Sequence, residues 1–175
     1  NKKGSYLPPY EVIENISRLK NKIEYYSPLR IISLGDSFHD NFSIQDMNKS
    51  DLSEIKKIKN KIEFIWINGN HDQNLLGKNK VGGVFLDILK EDKFVYRHMR
   101  TNNFKKSEFE FTGHFHPKCL LKINNSSYFY KCFVLTKKFC ILPSFGTYTG
   151  GLSINDNVFK KIVKENAKVI ILGKS

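Results

Sequence analysis

The chain has 175 residues, with 29 Lys+Arg against 17 Asp+Glu, a formal charge of +12 and 40% hydrophobic residues. That length suits one domain with a real core. No apolar run approaches the ~18 residues of a membrane helix, and no signal peptide opens the chain. Cys119, Cys132 and Cys140 are odd in number and form no Cys-x-x-Cys pair, which argues against a disulfide framework or a zinc knuckle.

The cysteines are therefore expected to be reduced, in or near the core of a cytoplasmic protein. A basic balance suits a polyanionic partner, because neutralising phosphates releases counterions. Yet the only arginines are Arg18, Arg30, Arg97 and Arg100. A Lys/Asn/Ile skew with so little Arg matches an A+T-rich coding bias, so the charge permits a nucleic-acid partner without requiring one. The chain begins at Asn1 and has no Met before Met47, so it reads as a segment of something longer.

In chain order, Pro8-Pro9 introduces a helix whose apolar positions are Val12, Ile13, Ile16, Leu19 and Ile23, with Pro9 suited to an early helical position. Ser27-Pro28 ends it. Leu29–Leu34 reads as a buried strand of continuous apolar type. Asp51-x-x-Glu54 resembles a capping box opening a Lys-rich helix to about Ile62. A second strand, Ile62–Ile67, follows, and then a loop over Asn74–Gly83.

From Val84 the pattern turns β-rich. Strands are expected over Val84–Leu89, Lys93–His98, Glu108–Thr112, Cys119–Ile123, Tyr128–Thr136 and Phe139–Leu142, with Asn124–Ser127 and Thr136–Lys138 as turns. Pro143–Gly151 is a glycine-rich loop, Asp156–Glu165 a helix and Lys168–Leu172 a closing strand. A βαβ opening followed by mostly antiparallel strands predicts an α/β fold of two packed sheets flanked by helices.

Three apolar runs end abruptly in Gly, Asp, Asn and His. They are Ile31–Leu34 into Gly35-Asp36-Ser37-Phe38-His39-Asp40, Ile62–Ile67 into Asn68-Gly69-Asn70-His71-Asp72, and Phe109–Thr112 into Gly113-His114-Phe115-His116. All five histidines, His39, His71, His98, His114 and His116, fall at or just past a strand end. A single such His is best read as a satisfied structural residue; five of them beside Asp36, Asn70 and Asp72 favour a metal site. His114 and His116 would face the same way in extended structure.

A mixed N/O donor set suits Mn, Fe or Zn. Asp36 is the natural bridge, and two metals ~3.5–4 Å apart can hold a hydroxide nucleophile and clamp a phosphoryl group. His71, adjacent to Asn70, is then better placed as a general acid, with Asp72 orienting it. His39, Asp40 and Arg97 are candidate substrate or supporting groups. For Arg97, as for Lys118, a solvated charge is the plainer reading, while Trp66 reads as core.

The ordered set Gly35-Asp36, Gly69-Asn70-His71-Asp72, His98 and Gly113-His114-x-His116 resembles the calcineurin-like metallophosphoesterase signature. Together with Gly4–Tyr10, Leu34–Asp40 and Pro143–Gly151, it resembles the DNA-ligase-associated, PdeM-type family. That resemblance implies a four-layer metallophosphoesterase sandwich of two mixed sheets and Mn-dependent phosphodiesterase activity. It also implies a DNA endonuclease role in repair, with ligase and helicase as functional partners.

By matching position it makes Asp36, Asn70, His98 and His114 the ligands of one metal, and Asp36 and His116 those of the other. The family's Asp-x-His at its first strand is absent here, so one of the two sites is expected to be incomplete and the first strand missing. Two other readings follow from the sequence. One is a catalytically impaired remnant, the other a nucleotide or phosphoprotein phosphatase.

Overall fold

The computed structural model describes residues 9–38, 44, 47–70, 72, 77–101, 105, 107–163 and 166–173. Helix α1 (Pro9–Tyr26) ends at Ser27, whose φ of 45° is left-handed and whose N–H bonds back to Ile23 O at 2.8 Å. Strand β1 (Arg30–Ser33) pairs in parallel with β2 (Glu63–Ile67). Strand β3 (Val84–Leu86) extends the same sheet in parallel, giving a three-stranded sheet in the order β1-β2-β3.

The expectation of a buried strand at Leu29–Leu34 needs correction. Among the described residues β1 has one neighbour, its inner residues are half-buried, and Leu29 is 91% exposed. Among the described residues this continuous apolar run lies at the end of the small sheet.

Between β1 and β2 lies helix α2 (Lys49–Lys59). Its cap is Asn48, three residues ahead of the Asp51 expected from sequence. Asn48 Oδ1 accepts from the Asp51 N–H at 2.8 Å, and the Asn48 amide returns a bond to the Asp51 carboxylate at 2.7 Å. Asp51 thus sits at the third helical position and is tied to the cap through the Asn48 side-chain amide, a variation on the reciprocal capping box. Within the expected 74–83 loop, Lys78–Val81 forms a one-turn helix, α3.

The expected strand Val84–Leu89 is two strands. The chain leaves the small sheet after Leu86 and enters a second sheet as β4 (Ile88–Glu91), with Asp87 at the crossing. The second sheet contains seven strands. Its path runs β10-β8-β9-β6-β5-β4, with β7 paired to β8.

The members are β5 (Phe94–Arg97), β6 (Phe109–Thr112), β7 (Lys118–Ile123), β8 (Ser126–Leu135), β9 (Phe139–Ile141) and β10 (Lys168–Ile171). The turn between β7 and β8 is only Asn124-Asn125, with φ of 47° and 64°. Two left-handed residues make the type I′ geometry that matches strand twist, so Ser126 already belongs to β8. Helix α4 (Asn157–Ile162) is capped by Asp156 and is shorter than expected; Glu165 lies outside the described residues.

Packing follows from alternation. Phe64 and Trp66 point to one face of β2 and join Phe38, Ile44, Ile58 and Val81 in a core with Ile16, Leu19 and Ile23 of α1 packed against it. Ile65 and Ile67 occupy the opposite face and are buried as well, so the small sheet is covered on both sides. The large sheet packs Val134, Phe139 and Ile141 against Phe159 of α4. Trp66 is core, as expected: it stacks on Phe64 at 4.1 Å and donates to Gly82 O at 2.9 Å.

The result is an α/β sandwich of two sheets flanked by helices. The larger sheet is mixed, and the smaller is all parallel among the described residues. No described helix is long and apolar enough to cross a membrane.

Candidate metal centre

Parallel neighbours end on the same edge of a sheet. In the small sheet β1 and β2 run in parallel, so Asp36 and the Gly69-Asn70 turn emerge side by side. In the large sheet β5, β6 and β9 are successive parallel neighbours, so His98, Gly113-His114 and the loop after Ile141 share one edge. The two edges meet. Leu34 O lies 2.8 Å from His98 Nδ1, and a Cβ on Gly113 would stand 3.2 Å from the same carbonyl.

Asp36, His98 and His114 converge there, with their donor atoms all within 4.8 Å of one another. The His98 ring decides the electrostatics. Leu34 O can only accept, so Nδ1 carries a proton, and the other ring nitrogen, Nε2, faces Asp36 Oδ2 at 3.1 Å and His114 Nδ1 at 3.0 Å. A bare lone pair against a carboxylate is repulsive. The contact is satisfied either by an imidazolium or by a cation held between the donors. Binding one ring nitrogen to a backbone carbonyl so that the other is presented outward is how metal-ligating histidines are oriented. The donors therefore fit a divalent ion of borderline softness.

Burial alone would lower the His98 pKa. The hydrogen bond to Asp36, the bond to the Leu34 backbone and the charges of Asp36 and Asp72 outweigh it, and the pKa is raised. His116 behaves oppositely. Burial lowers its pKa, Asp36 opposes this, and His98, His114 and Lys131 add to the lowering, so its imidazole is held neutral near the cluster.

The backbone is strained where these side chains are delivered. Asp36, His114 and His116 have φ of 49°, 56° and 45°, a left-handed conformation that is uncommon for residues with a side chain, although Asp and His tolerate it better than most. This corrects the expectation that His114 and His116 project alike from an extended segment. Neither is extended; His114 joins Asp36 and His98, and the tight donor group does not include His116.

The remaining candidates divide clearly. Asn70 Nδ2 approaches His114 Nδ1 at 3.4 Å, so Asn70 borders the cluster. Asp72 is 2% exposed; its Oδ2 accepts from the Gly69 N–H at 2.9 Å, closing the turn that presents Asn70. Its buried Oδ1 has no hydrogen-bond partner among the described residues. His71, His39 and Asp40 lie outside the described residues.

The solvated reading of Arg97 is overturned. Arg97 is buried, ion-paired with Glu110 at 2.9 Å and bonded to Thr101 Oγ1 at 2.9 Å. Glu110, fully buried in β6 with Arg100 on its other oxygen at 3.7 Å, was not a sequence candidate. Its only sequence signal was a carboxylate between two Phe in a strand of alternating pattern.

Two β-sheets flanked by helices, with Asp and His converging at the strand ends where the sheets meet, make an α/β sandwich with a candidate metal centre at one edge. Among solved structures the chain is similar to the nuclease MPE of Pseudomonas putida. The TM-score is 0.74 at 20% identity, covering 95% of this chain and 78% of that one. No family model matches the sequence, and no curated protein matches it. At that identity the likeness establishes a shared fold.

Proposed function

We propose that this chain is a metal-dependent phosphodiesterase that acts as a DNA endonuclease of the ligase-associated repair type. The observation that carries the reading is the His98 ring, tied through Nδ1 to Leu34 O and presenting Nε2 to Asp36 and His114. The nuclease named in the structural comparison supports the reaction class. In this reading Asp36, His98 and His114 hold one divalent ion with Asn70 as its fourth donor, Asp36 and His116 contribute to a second, incomplete site, and Mn is the expected metal. The bound ion would supply Lewis-acid charge stabilisation to a phosphoryl group.

The chain's own residues supply the rest. Asp72 fixes the Gly69-Asn70 turn through its bond to the Gly69 N–H. Burial lowers the His116 pKa, which favours the neutral imidazole that metal ligation requires. His71 is assigned as the acid that protonates the departing oxygen, oriented by Asp72.

The test is Mn binding by calorimetry together with hydrolysis of a simple phosphodiester and nicking of DNA. Asp36→Asn and His114→Ala should each lower the rate by at least about 100-fold, since each removes a donor that shapes the charge around the reacting phosphate. Wild-type protein that binds Mn but cleaves neither substrate, or an Asp36→Asn variant with unchanged rate, overturns the proposal.

A further inference from the structure

The loop after β9 shares an edge with His98 and His114, because β5, β6 and β9 are parallel neighbours. It begins beside the site, where Leu142 N–H bonds to Thr112 O at 2.8 Å, and it ends there too, where Leu152 N–H bonds to Phe115 O at 3.1 Å. A Cβ on Gly151 would overlap His116 O, so the loop's close approach to the His116 backbone requires glycine.

Between those ends the loop is fixed from two directions. From the large sheet, Lys131 Nζ donates to Ser144 O at 3.1 Å and to Gly146 O; the same ammonium acts electrostatically on His116. From α1, Arg18 Nη1 donates to Phe145 O at 2.9 Å and to Thr147 Oγ1 at 3.0 Å. Thr147 in turn donates its N–H to Asn15 Oδ1 at 3.2 Å and its hydroxyl to Glu14 Oε1 at 3.1 Å.

A loop held this firmly nonetheless turns two aromatic rings outward. Phe145 is 47% exposed and Tyr148 is 62% exposed. The Arg18 guanidinium lies 4.8 Å from the centre of the Phe145 ring, so one face carries a cation and the ring remains half-exposed. Isolated exposed apolar residues are ordinary. Two aromatic rings on one anchored loop, at the edge that carries the candidate ligands and with Arg18 and Lys131 among them, are the components of a base-stacking surface.

We infer that Phe145 and Tyr148 form a stacking platform for an unpaired nucleobase flanking the scissile phosphodiester. Lys131 and Arg18 fix the loop and add positive charge beside the polyanionic strand. The inference rests on the phosphodiesterase reading and adds to it the residues that hold an unpaired base beside the site.

The experiment compares binding of a fluorescent oligothymidylate and an abasic oligomer of equal length, in chelator so that no turnover occurs. Wild-type protein should prefer the thymidylate. The Phe145→Ala/Tyr148→Ala variant should lose roughly tenfold or more on it, given the usual worth of an aromatic–base stack, and should bind the abasic strand as before. Phe145→Trp should retain the preference, and Phe145→Leu, which keeps apolar bulk, should lose it even if the double variant folds poorly.

Equal binding of both oligomers by wild type, or an undiminished preference in Phe145→Leu, overturns the platform. If such protein still hydrolyses a simple phosphodiester with Mn, the catalytic reading stands without it. If Mn-dependent hydrolysis is absent as well, both fall.

Discussion

Gly35→Ala tests the meeting of the two sheet edges most directly. Gly35 has φ of 92°, and a Cβ there would overlap His98 Nδ1 and lie 2.8 Å from Gly69 Cα. Forcing an L-residue into the left-handed region costs about 1–2 kcal/mol. Overpacking of this kind costs roughly 1–3 kcal/mol more. Neither neighbour yields easily, because one is backbone and the other ring is tied to Leu34 O. The sum, about 2–5 kcal/mol, is a large share of the ~5–15 kcal/mol that holds a domain together.

Urea unfolding should report that loss, and Mn affinity measured by calorimetry should fall by about 10–100-fold, as when the support of a ligating His is disturbed. Gly150→Ala is the matched control. Nothing lies within 4 Å of a Cβ there, so stability should change by no more than about 0.5 kcal/mol. If Gly35→Ala unfolds at the wild-type urea concentration and binds Mn equally well, the close approach of Gly35 to His98 is wrong.

The buried carboxylate gives a second test. Glu110→Leu leaves Arg97 without its partner and should cost about 3–5 kcal/mol in urea unfolding, with Arg97→Met/Glu110→Leu recovering part of it; a double variant no more stable than Glu110→Leu contradicts the pairing. A third concerns pH. The folded-state pKa of His98 is raised, so its contribution in metal-free protein is fully present below the ordinary value of about 6.5 and is lost as pH rises through the folded value. The cost of His98→Gln should therefore be larger at about pH 5.5 than at about pH 8.5, and the reverse order refutes the assignment. Thiol chemistry gives a fourth. Burial pushes the Cys132 thiol to about 11 and raises Cys140, whereas Cys119 is only half-buried. Native protein should thus react quickly at Cys119 alone, with the other two labelled after unfolding, and fast labelling of Cys132 in the native state would contradict its burial.

The strand tips were legible because their chemistry is local. A parallel strand leaves its last residues at a known edge, and Gly-Asp or Gly-His after an apolar run states both the edge and its contents. Direction in space was not legible. His114 and His116 alternate in sequence, but left-handed φ at both residues cancels the period-two rule. Arg97 precedes a candidate ligand and resembled a solvated charge, until β6 placed Glu110 against it. The single strand expected at Val84–Leu89 hides a change of sheet at Asp87 that apolar pattern cannot signal. The fixing of the 143–151 loop by Arg18 spans 127 residues of chain, a distance over which no local pattern carries information.

These long-range contacts explain how strained tips can be delivered at all. Left-handed conformations at Asp36, His114 and His116 cost about 1–2 kcal/mol each, and contacts beyond the local turn of Phe115 N–H to Gly113 O help to offset that. The offset comes from both sheets. Gly69 admits Asp36 because a Cβ there would overlap the Asp36 carboxylate and amide, and Gly113 admits the Leu34 carbonyl. That carbonyl in turn holds the His98 ring. Once held, His98 Nε2 must face Asp36 either as an imidazolium or across a cation. A proton and a metal ion are therefore alternative solutions to one electrostatic problem that the fold itself creates, and at a pH where His98 Nε2 is protonated, metal binding at this site would release that proton while Nδ1 keeps its own.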